Sequence, residues 1–183
     1  MIGNTPASWG SVSRWLHWIL GAGIIGMIGY GWWMNHVPAR PDRFFHRAVH
    51  AEIGYVVLLL TAIRLIWRGV NPTPRLPEKA PRWEKLAARV SHGLLYLTTI
   101  LVAMLGWAMA GASARNYTDF FGLFAVPQFT SPDPDAAHVY GHRHIFFAYV
   151  LLALIVLHVA AAVWHHFVRR DRVVMRMVDG EPG

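Results

Sequence analysis

The sequence predicts an all-α integral membrane four-helix bundle, a single domain over residues 1–183. Three observations carry this. Hydrophobic residues make up 55% of the chain and charged residues only 15%, where a soluble domain carries about a quarter charged. Four apolar runs of membrane length occur, at 15–34, 48–67, 93–112 and 145–168, each near the roughly 20 residues needed to cross a hydrocarbon core of about 30 Å. Histidine and tryptophan are abundant, at 11 and 9 residues. The apolar content excludes disorder. The lack of cysteine excludes disulfides, Cys-bound zinc, iron–sulfur clusters and thioether-attached haem.

The first span, Trp15 to Met34, carries no formal charge. It is too long for a signal-peptide core and is followed by no small-x-small cleavage site, so it reads as a retained helix. The second, Ala48 to Trp67, holds Glu52 near its start and Arg64 near its end. The third, Gly93 to Ala112, and the fourth, Ile145 to Val168, contain no Asp, Glu, Lys or Arg. Asn71-Pro72-Thr73-Pro74-Arg75-Leu76-Pro77 is proline-rich and predicts an extended connection. Ser113 to Tyr140 is the longest loop, with room for a short amphipathic piece.

The net charge of +7 points to membrane topology and to no nucleic acid, because the basic residues sit between the apolar runs. With the N-terminus inside, the inner side holds 12 of the 17 Lys and Arg residues and the outer side 5. Both termini are therefore expected in the cytoplasm.

Polar groups at membrane depth are costly unless partnered, so each intramembrane histidine is a functional candidate. His144 and His158 are 14 residues apart on the fourth span, which places them about 40° from the same face and about 21 Å apart along the axis. His142 to His158 puts two rings about 160° apart instead. Two ligands on one face at two depths suit two stacked cofactors. His50 begins the second span from outside, as His144 begins the fourth, and the two match in depth. His17 begins the first span from inside and pairs with His158 to within about two turns. His92, which opens the third span, competes with His17 for that inner site. Facing helices of a bundle build metal and haem sites in this way.

Haem is the better fit to the surroundings. Gly21 and Gly54 each follow a candidate ligand by four residues, where a flat macrocycle needs small neighbours. Arg14 and Arg47 each precede one by three, suited to a propionate, although snorkelling at a span end accounts for them equally well. His165 lies seven residues after His158 on nearly the same face and suits a proton-linked contact. His166 reads as interfacial, and His36, His46, His138 and His142 as solvated loop residues.

Taken in order, these residues resemble the bacterial cytochrome b561 family, four-helix di-haem b membrane proteins similar to the cytochrome b subunits of hydrogenases and formate dehydrogenases. The resemblance spans nearly the whole chain. It rests on Arg14-Trp15-Leu16-His17-Trp18, Val49-His50-Ala51-Glu52-Ile53-Gly54, Asn71-Pro72-Thr73-Pro74, Ser91-His92-Gly93-Leu94-Leu95-Tyr96, Leu157-His158-Val159-Ala160-Ala161-Ala162 and His165-His166-Phe167, with Val174-Met175-Arg176-Met177 following. It implies two haems b, with iron held by His17 with His158 and by His50 with His144, and no ligand role for His92. It implies electron transfer between a periplasmic one-electron donor and ubiquinone in the bacterial inner membrane, with superoxide as the donor in some members. Lys79 and His165 correspond to positions lining the inner quinone site. The resemblance leaves room for a homodimer, or for an anchor subunit serving a separate dehydrogenase or hydrogenase. The acidic Pro132-Asp133-Pro134-Asp135 departs from the family and would repel superoxide.

Overall fold

The computed structural model describes residues 1–36, 39–74, 81–113 and 119–181. Four long helices carry the expected spans: α1 (Ser11–His36), α2 (Arg40–Val70), α3 (Arg82–Ala112) and α4 (Pro134–Trp164). All four are long and apolar enough to cross a membrane. A two-residue pair of strands, β1 (Asp119–Phe120) and β2 (Phe124–Ala125), follows α3, and a short α5 (Met175–Val178) ends the chain.

The helix ends follow from local chemistry. At the end of α1, Asn35 Nδ2 donates to the Gly31 carbonyl at 2.9 Å and His36 Nδ1 to the Trp32 carbonyl at 2.7 Å. These bonds satisfy carbonyls that the helix itself leaves unpaired. Asn71 Nδ2 does the same for Trp67 at 3.0 Å, and Pro72 and Pro74 prevent α2 from continuing. Residues 71–74 are non-helical, as expected, and 75–77 lie outside the described residues. Asp133 caps α4: its Oδ1 accepts from the amides of Asp135 and Ala136 at 3.0 and 3.1 Å, with Pro134 at the first helical position.

The long outer connection differs from expectation. Residues 134–140 are helix rather than loop. The preceding segment holds an antiparallel hairpin, with Phe120 opposite Phe124, and residues 114–118 lie outside the described residues. Its turn places Phe121 and Gly122 at φ of 49° and 69°. The fourth span also changes character at its end. His165–Arg169 form a π-helical turn, closed by Arg170 at φ 53°.

The burial pattern is inverted relative to a soluble protein. Thr61, Thr98, Thr99 and small alanines of α3 are buried, whereas Trp15, Leu59, Ile66, Leu97, Val156 and Leu157 are more than half exposed. Small and weakly polar residues between helices with large apolar residues outside is the arrangement for which lipid is the solvent. The protein is an integral membrane helical bundle.

The chain divides into two compact units, each drawing on all four long helices. Unit one comprises Met1–Gly21, Leu60–Tyr96 and Ala153–Gly183. Here the N-terminal tail folds onto the start of α1, where Asn4 Oδ1 accepts from the Gly10 amide at 3.0 Å and the Ser13 hydroxyl at 2.7 Å. A Cβ on Gly10 would lie 2.3 Å from the Ile2 carbonyl oxygen, so only glycine permits that crossing. The C-terminal segment docks on the same helix, with Trp18 Nε1 donating to the Met177 carbonyl at 2.9 Å.

Unit two comprises Ala22–Leu59 and Leu97–Leu152. Its hairpin turn is tied to α2 by the Phe121 amide, which donates to Glu52 Oε1 at 3.2 Å. The segment entering α4 runs along the end of α3. Trp107 Nε1 donates to the Pro127 carbonyl and Thr130 Oγ1 to the Ala108 carbonyl, each at 3.0 Å.

Candidate functional site

In unit two, His50 of α2 and His144 of α4 face each other. Their ring centroids are 6.1 Å apart and their planes cross at 78°. His144 Nδ1 donates to the Val102 carbonyl of α3 at 2.9 Å. That bond fixes the tautomer and leaves Nε2 with a free lone pair, the usual state of a metal-bound histidine. Among the described residues His50 Nδ1 is buried without a hydrogen-bond partner.

Glycines on the other two helices make room for both rings. A Cβ on Gly31 would lie 3.2 Å from His50 Cε1, and one on Gly106 3.2 Å from both Cε1 and Nδ1 of His144. The two histidines line a cavity of about 590 Å³ together with Gly54, Arg47 and Asn35, and its wall is otherwise mainly apolar. Cofactor pockets span about 300–1,000 Å³. Arg47 donates to Asn35 Oδ1 at 3.1 Å. Tyr30 stacks on His50 at 6.0 Å and shares a 2.8 Å hydrogen bond with His46 Nδ1.

In unit one, His17 of α1 and His158 of α4 repeat the relationship at 6.1 Å, with planes crossed at 83°. His92 of α3 joins them, its ring 5.4 Å from that of His158 at 65°. Arg64 is held beside this cluster by Nε donating to the Tyr96 hydroxyl at 2.7 Å and by one terminal nitrogen donating to the Ser13 carbonyl at 3.2 Å. Among the described residues a Cβ at Gly21 would meet no atom within 4 Å beyond its own helix turn.

The repeated distance has a chemical meaning. Metal–nitrogen bonds of about 2.0–2.1 Å, plus about 1.1 Å from nitrogen to ring centre on each side, put two imidazoles on opposite sides of one metal about 6.2–6.4 Å apart. Both 6.1 Å pairs fit that arrangement, and 5.4 Å is too short for it. Among the described residues no group of three or more His, Cys, Asp or Glu is placed to hold a metal ion. A zinc site of three or four protein ligands therefore does not match these pairs. A metal that brings a macrocycle for its other positions does.

Other expected residues fall elsewhere. Arg14 donates to the Val178 carbonyl at 2.8 Å, tying α1 to the C-terminal segment. His165, the first residue of the π-helical turn, donates from Nδ1 to Asp171 Oδ2 at 2.6 Å. Lys79 lies outside the described residues. The four histidines expected in loops are on helices: His36 ends α1, His46 lies on α2, and His138 and His142 lie on α4. Tyr30 and Gly106 carry no signal in the sequence, and Gly31 is one of five glycines in the first span, which read as close helix packing. Each touches a histidine of another helix, which no spacing along one helix reveals.

Residues 8–180 match the family model of prokaryotic cytochrome b561. Cytochrome b561 homolog 2 of Escherichia coli is 32% identical over 178 residues, covering 96% of this chain and 93% of that protein. Cytochrome b561 homolog 1 of the same organism is 30% identical over 72% of this chain and 74% of its own length. A Yersinia pestis protein named probable superoxide oxidase CybB is 28% identical over 75% of this chain and 77% of its own. Paired histidines on apolar, membrane-length helices suit haem b, and with these matches the chain belongs to the prokaryotic cytochrome b561 family of multi-pass membrane electron-transfer proteins.

Proposed function

We propose that this protein binds two haems b, one held by His17 and His158 and the other by His50 and His144, and that it transfers electrons from a periplasmic one-electron donor to ubiquinone in the bacterial inner membrane. The observation that carries the reading is the 6.1 Å separation common to the two histidine pairs. Haem held by these two histidine pairs would supply one-electron exchange. The protein's own groups set the conditions. The Val102 carbonyl orients His144, and Arg47 offers a cation in the cavity wall for a propionate. Both termini face the cytoplasm, by the excess of Lys and Arg on that side.

Quinone reduction takes up two electrons and two protons, so its site needs a group that passes protons. His165, whose Nδ1 donates to Asp171 Oδ2 at 2.6 Å, is the proton-holding side chain there, and Lys79 provides a cation for the quinone oxygen. The likeness to the protein named probable superoxide oxidase supports superoxide as a donor. Two superoxide anions would give two O₂ and two electrons, and those electrons with two protons would reduce one quinone to quinol. The purified protein should give a b-type reduced-minus-oxidised spectrum and two haems per chain by pyridine haemochrome. It should also reduce ubiquinone when a one-electron donor is supplied. Haem content near zero would refute the cofactor assignment, and full haem content without quinone reduction would refute the acceptor.

A further inference from the structure

His138 and His142 lie one helical turn apart on α4, at i and i+4, with Nε2 to Nε2 at 3.1 Å and ring centroids at 4.4 Å. Both side chains are exposed, and both line the cavity that His50 and His144 share. Neither belongs to the histidine pairs assigned above. From this juxtaposition we infer a second, distinct metal site, in which His138 and His142 chelate a first-row divalent transition-metal ion such as Cu²⁺ or Zn²⁺.

The geometry differs in kind from that of the haem pairs. Two nitrogens bound side by side at about 2.0–2.1 Å from one metal are about 2.9 Å apart at a right angle and about 3.4 Å apart at the tetrahedral angle. The observed 3.1 Å lies between these values. With no metal bound, one ring donates to the other. When both rings carry their proton on Nδ1, the two Nε2 lone pairs converge on a single ion. That change of tautomer needs no net loss of protons. Histidines at i and i+4 share one helix face, which is why this spacing is a recurrent metal-binding device. The backbone already fixes their separation, so little ordering remains for the ion to impose.

The surroundings favour a cation. Asp135 precedes His138 by three residues on the same face, and Asp133 caps the helix. Both carboxylates are exposed. Solvent supplies the remaining coordination positions. Cu²⁺ binds more tightly than Zn²⁺, in line with the general order for nitrogen ligands. A bound dication would also offset the two carboxylates that otherwise repel an anionic electron donor. That consequence depends on the proposed haem function, but the metal site itself does not.

The test uses untagged, haem-loaded protein in detergent, titrated with Cu²⁺ and separately with Zn²⁺ by calorimetry. The Cu²⁺ complex is also read by electron paramagnetic resonance. One tight ion per chain is expected, with nitrogen hyperfine structure from two imidazoles. His138→Ala and His142→Ala should each weaken binding at least tenfold, and the double variant should abolish it. His166→Ala should bind as the wild type does, and the haem spectrum should be unchanged throughout. Equal binding by the wild type and the double variant, or a Cu²⁺ signal without nitrogen ligands, would overturn the inference.

Discussion

The imidazole of His144 stands 6.1 Å from that of His50, with the two planes crossed at 78°. Its Nδ1 is committed to the Val102 carbonyl. One ring is thus set in tautomer and direction by a backbone group of α3, and the other meets it from α2. Gly106 and Gly31 contribute the space that lets helices α3 and α1 lie against these rings. The site is held by all four long helices.

Removing one histidine from either pair should remove one haem. His50→Ala and His144→Ala are each expected to reduce the pyridine haemochrome ratio from two haems per chain to one. His17→Ala and His158→Ala should each do the same to the other haem. The near-perpendicular planes, at 78° and 83°, further predict strongly anisotropic low-spin ferric signals in electron paramagnetic resonance. Signals typical of parallel imidazoles would contradict the geometry.

His92→Ala should keep both haems. Its ring lies 5.4 Å from that of His158, closer than two imidazoles on opposite sides of one iron stand. If this variant loses a haem while His17→Ala retains two, then His92 is the ligand and His17 is not.

Gly31 and Gly106 are open to a direct steric test. An added methyl would press on the rings of His50 and His144 at 3.2 Å, and overpacking of this kind costs about 1–3 kcal/mol. Gly106→Ala should therefore weaken haem retention in unit two selectively. Gly21→Ala adds a Cβ that meets no atom of another helix within 4 Å among the described residues, so it should leave helical content intact and lower only the affinity for the unit-one haem. Haem content measured after graded detergent washing, with circular dichroism as the control, separates these effects. Full haem retention by Gly106→Ala would show that the ring has room to move.

How much of this was legible in the sequence depends on the range of the interactions. The four spans were readable because lipid demands continuous apolar length, and the His144–His158 spacing was readable because both lie on one helix. The helix starts were not. Arg40, Arg82 and Pro134 begin helices well before the apolar runs at 48, 93 and 145, because polar turns extend a helix beyond the hydrocarbon core. Asp133-Pro134 carries a helix-start signal, but it is embedded in an acidic, proline-rich stretch. Phe121 in a left-handed turn was not foreseeable, since bulky residues rarely adopt positive φ. It holds that conformation with its amide bonded to Glu52, 69 residues away in sequence.

Kinetics test the quinone assignment. His165→Ala removes the 2.6 Å bond at the π-helical turn and Asp171→Asn removes the charge of its acceptor; each should slow haem reoxidation by added ubiquinone at least tenfold with haem content unchanged. Lys79→Ala should slow it as well. Wild-type rates in all three, measured by stopped flow after rapid haem reduction, would place quinone elsewhere.

Arg64 yields the last prediction. It sits within a membrane-spanning helix, where an unpartnered arginine is costly. Its bonds to the Tyr96 hydroxyl and the Ser13 carbonyl satisfy donors without cancelling charge. Among the described residues no ion pair with a carboxylate is found for it. Its charge reaches the rings of His17, His92 and His158. A cation beside a bis-histidine haem disfavours the ferric form, which carries one more positive charge than the ferrous form, and so raises the midpoint potential. Arg64→Met should lower the potential of the His17–His158 haem and leave that of the His50–His144 haem in place. A tenfold change in the reduction equilibrium corresponds to about 59 mV for one electron, and a shift of that order is expected. Arg64→Lys should retain most of the potential, because the charge remains. Tyr96→Phe should have a smaller effect, because it loosens the guanidinium without removing it. A merely structural arginine would instead lower thermal stability and haem content in Met and Lys variants alike. A spectroelectrochemical titration resolving the two haems decides the matter: unchanged potentials in Arg64→Met, with both haems retained, would refute the electrostatic role.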